Sequence, residues 1–412
     1  MSKAVITGIG LVSPLGCDLQ VCWDRLKQGY SGIRRVQAFD VTEYASKIAG
    51  EVVEFDADAF VPKKEQRRMD RYSILALGAA ELAVRDAGLD TEAENGERMG
   101  CIVSSGIGGL QTLEEQHKNL LERGPKRCSP FMIPQMISNM GGGLIAIRYG
   151  LQGANYAIVS ACASAAHSIG AAMRLIERGD ADVMFSGGSE ASVCPLGLGG
   201  FSSMRALSTR NDDPEHASRP FDAERDGFVI AEGAGVVIIE SLEHAQRRGA
   251  RIYCELAGFG ETCDAYHMTA PMEDGGGAAR AMTQAMHDAG LAPADIGYIN
   301  AHGTSTPLND KMETRAIKGA LGEEAARKVM ISSSKSMTGH LLGAAGGFET
   351  AVCALALHHG VLPPTMNYET PDPECDLDYI PNQARDIRVD ACLSNSLGFG
   401  GHNACIAMRR MP

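Results

Sequence analysis

Four residues with reactive side chains each follow a short apolar run of this sequence. They are Cys162, His302, Lys335 and His340. Short β-branched runs predict strands, and ligands bind at the carboxyl ends of the strands in open α/β sheets. Side chains at comparable strand ends can form a composite site, in which a thiol acts beside groups that donate hydrogen bonds or carry charge. We therefore expect these four residues to meet in one pocket.

Cys162 has the sequence context of a nucleophile. It stands between a predicted strand at 156–160 and a predicted helix at 165–178 that opens with small residues. The free N–H groups and the dipole at the start of a helix stabilise negative charge. The sequence therefore predicts a lowered thiol pKa at Cys162. For any single cysteine, the alternative is a buried structural thiol.

The remaining cysteine and histidine residues do not indicate a metal site. The 12 cysteines include no C-x-x-C pair, and His358 and His359 are adjacent in a predicted helix, where neighbouring side chains diverge. Scattered thiols in a chain of 412 residues are typical of a reducing compartment. The sequence predicts a cytoplasmic protein with unpaired cysteines and without a bound metal.

Charge and hydropathy argue against two classes of function. A formal net charge of −13 disfavours a general nucleic-acid-binding protein. No stretch approaches the roughly 18 apolar residues of a membrane span. The glycine-rich runs 106–109 and 398–401 match neither the dinucleotide pattern nor the P-loop pattern, so a nucleotide cofactor is disfavoured. Their backbone freedom suits loops that flank a tunnel, with Phe399 as a candidate gate.

Strand-like and helix-like segments alternate along the chain, which predicts a mostly parallel α/β architecture of layered sheets and helices. The predicted strands are 4–8, 101–104, 156–160, 183–186, 236–240, 296–300, 329–333 and 404–408. The predicted helices are 72–87, 133–149, 165–178, 278–289, 311–321 and 341–359. Asp310 and Glu313 have the spacing of a capping box at the start of the fifth helix. No linker or low-complexity segment marks a domain break.

One sequence pattern occurs twice. Segment 158–172 aligns with segment 331–345, which places Cys162 over Lys335. Each copy has an apolar strand, a polar turn and a helix that opens with small residues. Chance accounts for part of this similarity in a chain rich in Ala, Gly and Ser. The matching order of strands and helices favours two similar halves, with both turns at their shared face.

Several motifs together resemble the signature sequences of the β-ketoacyl-[acyl-carrier-protein] synthases. They are Ala161-Cys162-Ala-Ser, Asn300-Ala-His302-Gly-Thr-Ser-Thr306, Lys335-Ser-Met-Thr-Gly-His340 and Asn395-Ser-Leu-Gly-Phe399-Gly-Gly. Their order and spacing resemble synthase II over essentially the whole chain. The resemblance implies an α/β thiolase-like fold, in which two duplicated halves form a five-layer αβαβα sandwich, and a homodimer. The nucleophile would lie in a first half at 1–250, and the histidines and lysine in a second half at 251–412.

The resemblance also implies a reaction, a decarboxylative condensation that elongates a fatty acyl chain. Cys162 would accept the acyl group from an acyl carrier protein as a thioester. His302 and His340 would bind the thioester carbonyl of malonyl carrier protein and stabilise the enolate that forms as carbon dioxide leaves. The N–H groups of Cys162 and Phe399 would form the oxyanion hole, and Lys335 would set the local charge. No metal or redox cofactor is implied, because decarboxylation drives the condensation, and the substrates are carried on the phosphopantetheine arm of the carrier protein.

Further roles follow from the same resemblance. Glu349 would be the partner of Lys335. The residues that match the binding site of the phosphopantetheine arm are Thr304 and Thr306, and those that match the acyl pocket are Ile107 and Phe201. The residues that match a basic docking surface for the acidic carrier protein are Lys64, Arg67, Arg68, Lys126, Arg127 and Arg205.

Four related classes share parts of the pattern. A thiolase would need a second catalytic cysteine in the loop at 398–403, which has none. A synthase III-type enzyme would pair its cysteine with His and Asn, where this chain has His340. A chain-length factor would lack Cys162, and a polyketide-type ketosynthase with the same chemistry stays open. Leu397 replaces a phenylalanine of many members, and 163–167 differs from the common pattern, so acyl chain length is not predicted.

Overall fold

Thirteen strands and fourteen α-helices make up the described part of the chain, residues 2–411, in this computed structural model. The strands are β1 (Ala4–Val12), β2 (Ile33–Arg35), β3 (Ile48–Gly50), β4 (Met99–Ser104), β5 (Val183–Glu190), β6 (Gly233–Ser241), β7 (Cys254–Cys263), β8 (Tyr298–Asn300), β9 (Met330–Ser332), β10 (Val361–Leu362), β11 (Arg385–Asp386), β12 (Ala391–Gly398) and β13 (His402–Arg409). The helices are α1 (Leu19–Gln28), α2 (Lys63–Gln66), α3 (Arg71–Ala87), α4 (Leu110–Arg123), α5 (Met132–Met136), α6 (Met140–Tyr149), α7 (Ser164–Glu177), α8 (Pro195–Ser203), α9 (Leu242–Arg247), α10 (Gly276–Ala289), α11 (Pro307–Leu321), α12 (Glu323–Ala326), α13 (Lys335–Thr338) and α14 (Ala345–His359).

The two halves of the main sheet contain corresponding strands. Its strand order is β4-β5-β6-β1-β7-β13-β12-β8-β9. In the first half β4 and β5 are parallel while β5, β6 and β1 are antiparallel, and β8, β12, β13 and β7 repeat this arrangement in the second half. The halves join where Ala4–Ile6 of β1 pairs with Cys254–Leu256 of β7. The same order of elements therefore occurs twice along the chain.

The helices form three layers around the two half-sheets. Helices α3 and α6 cover the outer face of the first half, and α10 and α11 cover the outer face of the second. Helices α7 and α14 pack against each other between the half-sheets. The buried apolar residues separate accordingly into a central cluster and two outer clusters. The arrangement is a five-layer αβαβα sandwich.

Glycines in β1 and β7 let the outer helices approach the sheet closely. A Cβ on Gly10 would lie 1.8 Å from the carbonyl oxygen of Ala79 in α3. A Cβ on Gly260 would lie 2.0 Å from the carbonyl oxygen of Ala281 in α10. Neither position has room for a side chain, so the glycines and the small residues of these helices are needed for the same packing in both halves.

The repeat predicted from the sequence is present, but part of its alignment is wrong. Isolated parallel pairing of Cys101 with Asn155 puts the segment after 154 beside β4, as β9 lies beside β8. The strand positions therefore correspond as predicted. The short 3₁₀ turn before α7, Ala161–Ala163, corresponds to Leu342–Ala344 before α14, eight residues beyond the predicted match. The second half has a longer turn at this point, which carries α13 and the following histidine.

Some strands and helices differ from those predicted from the sequence. Regular strand is absent at 156–160 in the described chain, and the helix predicted at 133–149 is divided into α5 and α6 by an extended Ile137. The sequence reading missed β7, because Gly258 and Gly260 weaken its strand pattern, and β12, because its buried centre is the polar run 394–396.

Candidate active site

A cavity of about 640 Å³ opens where the two halves meet, and it collects most of the predicted site residues. The predicted residues that line it are Ile107, Cys162, Phe201, Arg205, His302, Thr304, Thr306, His340 and Phe399. Lys335 and Glu349 lie buried behind this wall, each about 2% exposed at the side chain. The convergence expected from four separate strand ends is present in the structure.

Cys162 lies in a strained turn at the base of the central helix α7. The preceding residue, Ala161, has a left-handed φ of +51°, which is unfavourable for a residue with a side chain. Ser164 holds the turn: its hydroxyl donates to the Ala161 carbonyl at 2.7 Å and accepts from the Ser160 N–H at 3.0 Å. The turn directs Cys162 into the cavity at the start of the 14-residue helix.

The thiol pKa differs from the prediction made from the sequence. Burial raises the pKa of Cys162 to about 12, and the nearby Lys335 lowers it only in part. Glu190 and Glu349 oppose the lysine by adding negative charge. The prediction of a lowered pKa was wrong, because loss of hydration outweighs the helix dipole and the single cation. The resting residue is therefore a thiol near neutral pH.

His302 and His340 face each other across the cavity wall. Their ring centroids lie 5.3 Å apart, nearly perpendicular, and Phe228 packs on His340 with centroids 5.5 Å apart. Burial and the charge of Lys335 hold the pKa of each imidazole well below its usual value, so both rings are neutral. Neither Nδ1 has a hydrogen-bond partner within the described chain. The ring proton is therefore best placed on Nε2, where it can be donated to a ligand.

The loop that carries His302 is held by Glu313 of α11. The carboxylate accepts from the N–H of His302 at 2.8 Å and from the N–H of Gly303 at 2.7 Å. Burial raises the pKa of Glu313 to about 6. The capping-box interpretation was therefore wrong, since α11 begins four residues earlier, with Thr306 as its N-cap.

Asp310 has a structural role at the same helix. Its carboxylate accepts from the Phe221 N–H at 2.8 Å and lies 3.5 Å from the Arg225 guanidinium. It is fully buried and does not line the cavity. The residue ties α11 to the loop at 221–225, away from the reacting groups.

Lys335 and Glu349 form a buried ion pair in the central layer. Lys335 begins α13 and Glu349 lies on α14. The second carboxylate oxygen of Glu349 has no partner among the described residues, and burial raises the pKa of this carboxyl against the effect of the lysine. The Lys335 ammonium acts on Cys162 and on both histidines, while Glu349 offsets part of its effect at Cys162.

Glu190, at the end of β5, was missed by the sequence analysis. Its carboxylate accepts from the N–H groups of Gly106 and Gly343 at 2.9 and 3.0 Å, and it lines the cavity floor. Burial raises the pKa of Glu190 to about 7. The sequence did contain a signal for this residue, since Glu190 is the single charged residue of β5, which is buried throughout. Burial of a carboxylate is unfavourable unless it is hydrogen-bonded.

The lining of the cavity combines hydroxyl groups with apolar side chains. Thr304 and Thr306 both line it, and their hydroxyls lie 3.0 Å apart. Phe201 packs edge-on against Phe228 at 5.4 Å, and Leu397 and Phe399 also line the cavity. This combination suits a ligand with a hydrogen-bonding arm and an apolar tail.

The predicted docking cations are exposed at the surface. They are Lys64, Arg67, Arg68, Lys126, Arg127 and Arg205. None of the six forms an ion pair with another residue of the described chain. Arg68 stacks over the Phe131 ring at 5.1 Å, and Arg205 lines the cavity mouth. The free cations are available to an acidic partner.

Over residues 2–411, no three His, Cys, Asp or Glu side chains cluster in a way that would hold a metal ion. Among the helices described, none combines the length and apolarity of a membrane span.

Two family models match the chain in consecutive segments. The N-terminal domain of β-ketoacyl synthase matches residues 1–245, and the C-terminal domain matches residues 253–369. The chain belongs to the β-ketoacyl synthase family. Among members of this family, it is 52% identical to 3-oxoacyl-[acyl-carrier-protein] synthase 2 of Synechocystis sp. over 99% of this chain and 98% of that protein. It is 50% identical to the synthase 2 of Staphylococcus aureus with the same coverage.

Solved structures of β-ketoacyl synthases have the same fold. The enzyme of Burkholderia phymatum superposes with a TM-score of 0.93 at 36% identity, covering 100% of both chains. A ketosynthase of a type II polyketide system, solved with its acyl-carrier protein, superposes with a TM-score of 0.92 at 37% identity, again over 100% of both chains. The predicted thiolase-like fold and the predicted family are confirmed.

Proposed function

We propose that this β-ketoacyl synthase elongates fatty acyl chains on acyl carrier protein, giving a 3-oxoacyl-carrier protein and carbon dioxide. The observation that carries this proposal is the meeting of Cys162, His302 and His340 in one cavity beside the buried charge of Lys335. A thiol, two neutral imidazoles and a fixed cation are the groups that thioester exchange and enolate stabilisation require. The identity of about half to curated synthase 2 proteins supports the same reaction.

Acyl transfer to Cys162 is the first step. Its Sγ forms a bond to the acyl carbonyl carbon, and the bond from that carbon to the phosphopantetheine sulfur breaks. The thiol proton passes to the departing sulfur, so the arm leaves as a free thiol. The N–H groups of Cys162 and Phe399 stabilise the tetrahedral oxyanion. A Cβ on Gly398 would lie 3.3 Å from the Cys162 nitrogen, so the two donor segments are in contact.

Decarboxylation of the malonyl group is the second step. The Nε2–H groups of His302 and His340 donate to the malonyl thioester carbonyl. The bond between the carboxylate and the α-carbon breaks, carbon dioxide leaves, and the electron pair remains as the enolate. Both imidazoles are already neutral donors, so no proton has to be removed from the rings beforehand.

Condensation completes the cycle. The enolate carbon attacks the carbonyl of the Cys162 thioester, and the bond from that carbon to Sγ breaks. Sγ takes up one proton from solvent, which restores the thiol, and the product on the carrier protein is two carbons longer. A thiol pKa raised to about 12 favours this reprotonated state after each turnover.

The carrier protein and its arm account for the outer part of the site. Thr304 and Thr306 offer hydroxyls to the phosphopantetheine arm, Ile107 and Phe201 line the acyl pocket, and the six free cations form the docking surface for an acidic carrier. Because the arm delivers both substrates, we propose that the reaction uses no further cofactor. We also propose that it takes place in the cytoplasm, in keeping with 12 unpaired cysteines.

We further propose a homodimer built on the segment beside β4. Ile133, Ile147, Tyr156 and Val159 are apolar and 57%, 78%, 44% and 56% exposed. Segment 155–160 runs along the edge of the first half-sheet, and no strand of the described chain lies on its other side. Such an edge is a template for pairing with a second chain. Sedimentation of the purified protein tests this, since a monomer at micromolar concentration would contradict it.

We propose a division of the chain near residue 250. The family matches support a boundary between 245 and 253, and the internal repeat changes from its first copy to its second between α9 and β7. The first part, 1–250, then carries the nucleophile, and the second part, 251–412, carries the histidines and the lysine.

Intact-protein mass spectrometry tests the proposed function. The protein is mixed with acyl carrier proteins that carry acyl groups of graded length, and the expected result is a mass gain of one acyl group on Cys162. Addition of malonyl carrier protein should discharge this adduct and release the 3-oxoacyl product. The absence of an adduct with every acyl donor would refute the proposal, while adducts only with β-keto polyketide donors would favour the ketosynthase of a polyketide system.

A further inference from the structure

Four hydrogen-bond donors converge on the Glu190 carboxylate at the floor of the cavity. Its Oε1 accepts from the Ser105 hydroxyl at 2.7 Å and from the Ile107 N–H at 3.3 Å. Its Oε2 accepts from the N–H of Gly106 at 2.9 Å and from the N–H of Gly343 at 3.0 Å. The side chain is fully buried. One carboxylate therefore joins the turn at 105–107, from the first half, to the turn at 342–344, from the second.

The Gly343 N–H corresponds by the internal repeat to the N–H of the nucleophile. Ala161 and Leu342 have φ values of +51° and +49°, and each is followed by a 3₁₀ turn that leads into a helix of the central layer. Cys162 and Gly343 are the second residues of these turns. The Cys162 N–H makes no hydrogen bond to another described residue, whereas the Gly343 N–H is occupied by Glu190.

The two turns contact each other without intervening side chains. A Cβ on Gly343 would lie 2.2 Å from the Gly106 nitrogen, and a Cβ on Gly106 would lie 2.8 Å from Glu190 Oε2. Because the backbones are in direct contact and share one acceptor, neither turn can shift while all four hydrogen bonds are made. Ile107, which ends the first turn and is 40% exposed, lines the cavity that holds Cys162.

We propose that Glu190 is a positioning residue that fixes Ile107 at the acyl pocket and thereby determines which acyl chains reach Cys162. The proposal rests on the proposed function, since it concerns the pocket for the acyl chain. Glu190 itself does not touch the reacting atoms. It acts through the turn at 105–107, and its ionised form is the form that fixes the turn, because four donors need an acceptor with four free lone pairs.

Protonation of Glu190 should release the turn. A protonated carboxyl would direct an O–H toward this set of donors, and the Ser105 hydroxyl already accepts from the Gly108 N–H at 2.8 Å. Burial raises the pKa of Glu190 to about 7, so protonation falls within an accessible range of pH. The other ionisable groups that line the cavity are Cys162, Arg205, Asp226, Asp264, His302 and His340, and the Lys335–Glu349 pair lies behind its wall.

Alkylation of Cys162 by a short and a long reagent tests this role. Iodoacetamide and N-dodecyl iodoacetamide attack the same thiolate, so the ratio of their rates cancels the ionisation of the thiol and reports access of the apolar tail. Intact-protein mass spectrometry gives both rates for the full-length protein. In Glu190→Gln at pH 8 we expect the long-to-short ratio to rise at least about fivefold, because an amide offers one acceptor oxygen to the four donors. In the unmodified protein the ratio should rise as the pH falls from 8 to 6, and in Glu190→Gln it should stay constant.

Glu51→Gln is the matched control. Glu51 is also buried and binds two backbone N–H groups, of Gln37 and Ala38, but it does not line the cavity. Its long-to-short ratio should equal that of the unmodified protein. An unchanged ratio in Glu190→Gln, or equal slowing of both reagents, would overturn the positioning role. If Glu190→Gln does not fold, a constant ratio between pH 8 and 6 in the unmodified protein overturns it instead. Failure of the cysteine to react with either reagent would contradict the nucleophile of the proposed function, which is a separate outcome.

Discussion

The turns at Ala161–Ala163 and Leu342–Ala344 have the same backbone form and opposite surroundings. The first turn follows segment 155–160, and the second follows β9 and α13. Each turn begins with a residue of left-handed φ, +51° at Ala161 and +49° at Leu342. In the first half the second residue is Cys162, whose N–H makes no hydrogen bond to another described residue. In the second half it is Gly343, whose N–H donates to Glu190. The repeat thus has two equivalent donors, of which one has no partner within the described chain and the other helps to hold the turns at 105–107 and 342–344 together.

The loops after β4 and β8 are a second pair of equivalent segments. The N–H groups of Gly106 and Ile107 bind Glu190, and those of His302 and Gly303 bind Glu313. Each loop therefore has two successive amides on one buried carboxylate. The carboxylates come from different elements, β5 and α11. The two halves reach one local solution with different residues, which indicates that fixing these loops matters more than the identity of the residue that fixes them.

Among the variants that test this comparison, Cys162→Ala should have the largest effect on activity, because it removes the thiol that distinguishes the first turn from the second. We expect acyl transfer to fall at least about a thousandfold while the fold is retained. Mass spectrometry with acyl carrier protein measures the adduct, and circular dichroism measures the fold. Condensation activity that survives in Cys162→Ala would contradict the assignment of the nucleophile.

The histidines of the second half should affect a different step from the cysteine of the first. His302→Ala and His340→Ala should each slow malonyl decarboxylation by about 10²- to 10³-fold, since in the proposed mechanism each removes one donor to the enolate oxygen. Acyl loading should change much less. Release of carbon dioxide and formation of the acyl adduct are measured separately. Equal losses in both steps would show that the histidines do not have this division of labour.

Gly343→Ala tests whether the second turn can accept a side chain, as the first turn does. A Cβ there would lie 2.2 Å from the Gly106 nitrogen, so we expect the free energy of unfolding to fall by about 3 kcal/mol. Urea denaturation measures the change. Gly143→Ala in α6 is the control, because its Cβ would come no closer than 3.8 Å to another residue. Similar stability of the two variants would mean that the turns are not in tight contact.

The two loop carboxylates should make smaller, distinguishable contributions to the pH dependence of stability. Both have folded-state pKa values raised above 4.5, to about 7 for Glu190 and about 6 for Glu313. The folded protein holds the proton of such a carboxyl more tightly than the unfolded chain does. The carboxyl therefore stabilises the fold below its unfolded pKa, and this contribution is lost as the pH rises through the folded pKa. Between pH 5 and 8, the stability of the unmodified protein relative to Glu190→Gln should fall by about 2 kcal/mol, and relative to Glu313→Gln by about 1 kcal/mol.

Urea denaturation of the three proteins at several pH values measures these differences. The steepest change should lie at a higher pH for Glu190 than for Glu313. The reverse order, or no dependence on pH in either comparison, would show that the loops are not held by carboxylates of the stated ionisation.

The sequence predicted the meeting of Cys162, His302, Lys335 and His340 because each follows an apolar run, and the order of such runs largely determines which strand ends lie together. It did not predict the thiol pKa, since the dipole of α7 is visible in a helix pattern but the burial of Cys162 is not. The resemblance to a family supplied the five-layer fold and the division of roles, which periodicity alone left open.

Residues that act through tertiary contacts were beyond the sequence patterns. Glu190 binds amides from 83 to 153 positions away, so no local spacing marks its function. The spacing of Asp310 and Glu313 fits a capping box, but Thr306 caps the helix and frees both carboxylates for distant amides. The alignment of the repeat also failed at its second part, because the longer turn of the second half has no signal in a short comparison of 15 residues.

The pairing of β1 with β7 and the shared layer of α7 and α14 have a consequence for the ancestry of this architecture. A single half has outer helices of its own, but the inner face of its sheet, with Ile6, Val237 and Ile239, is covered only with the help of the other half. An ancestor of half this length would have left that apolar face in water unless two copies associated. Fusion of two such copies would have made the association independent of concentration.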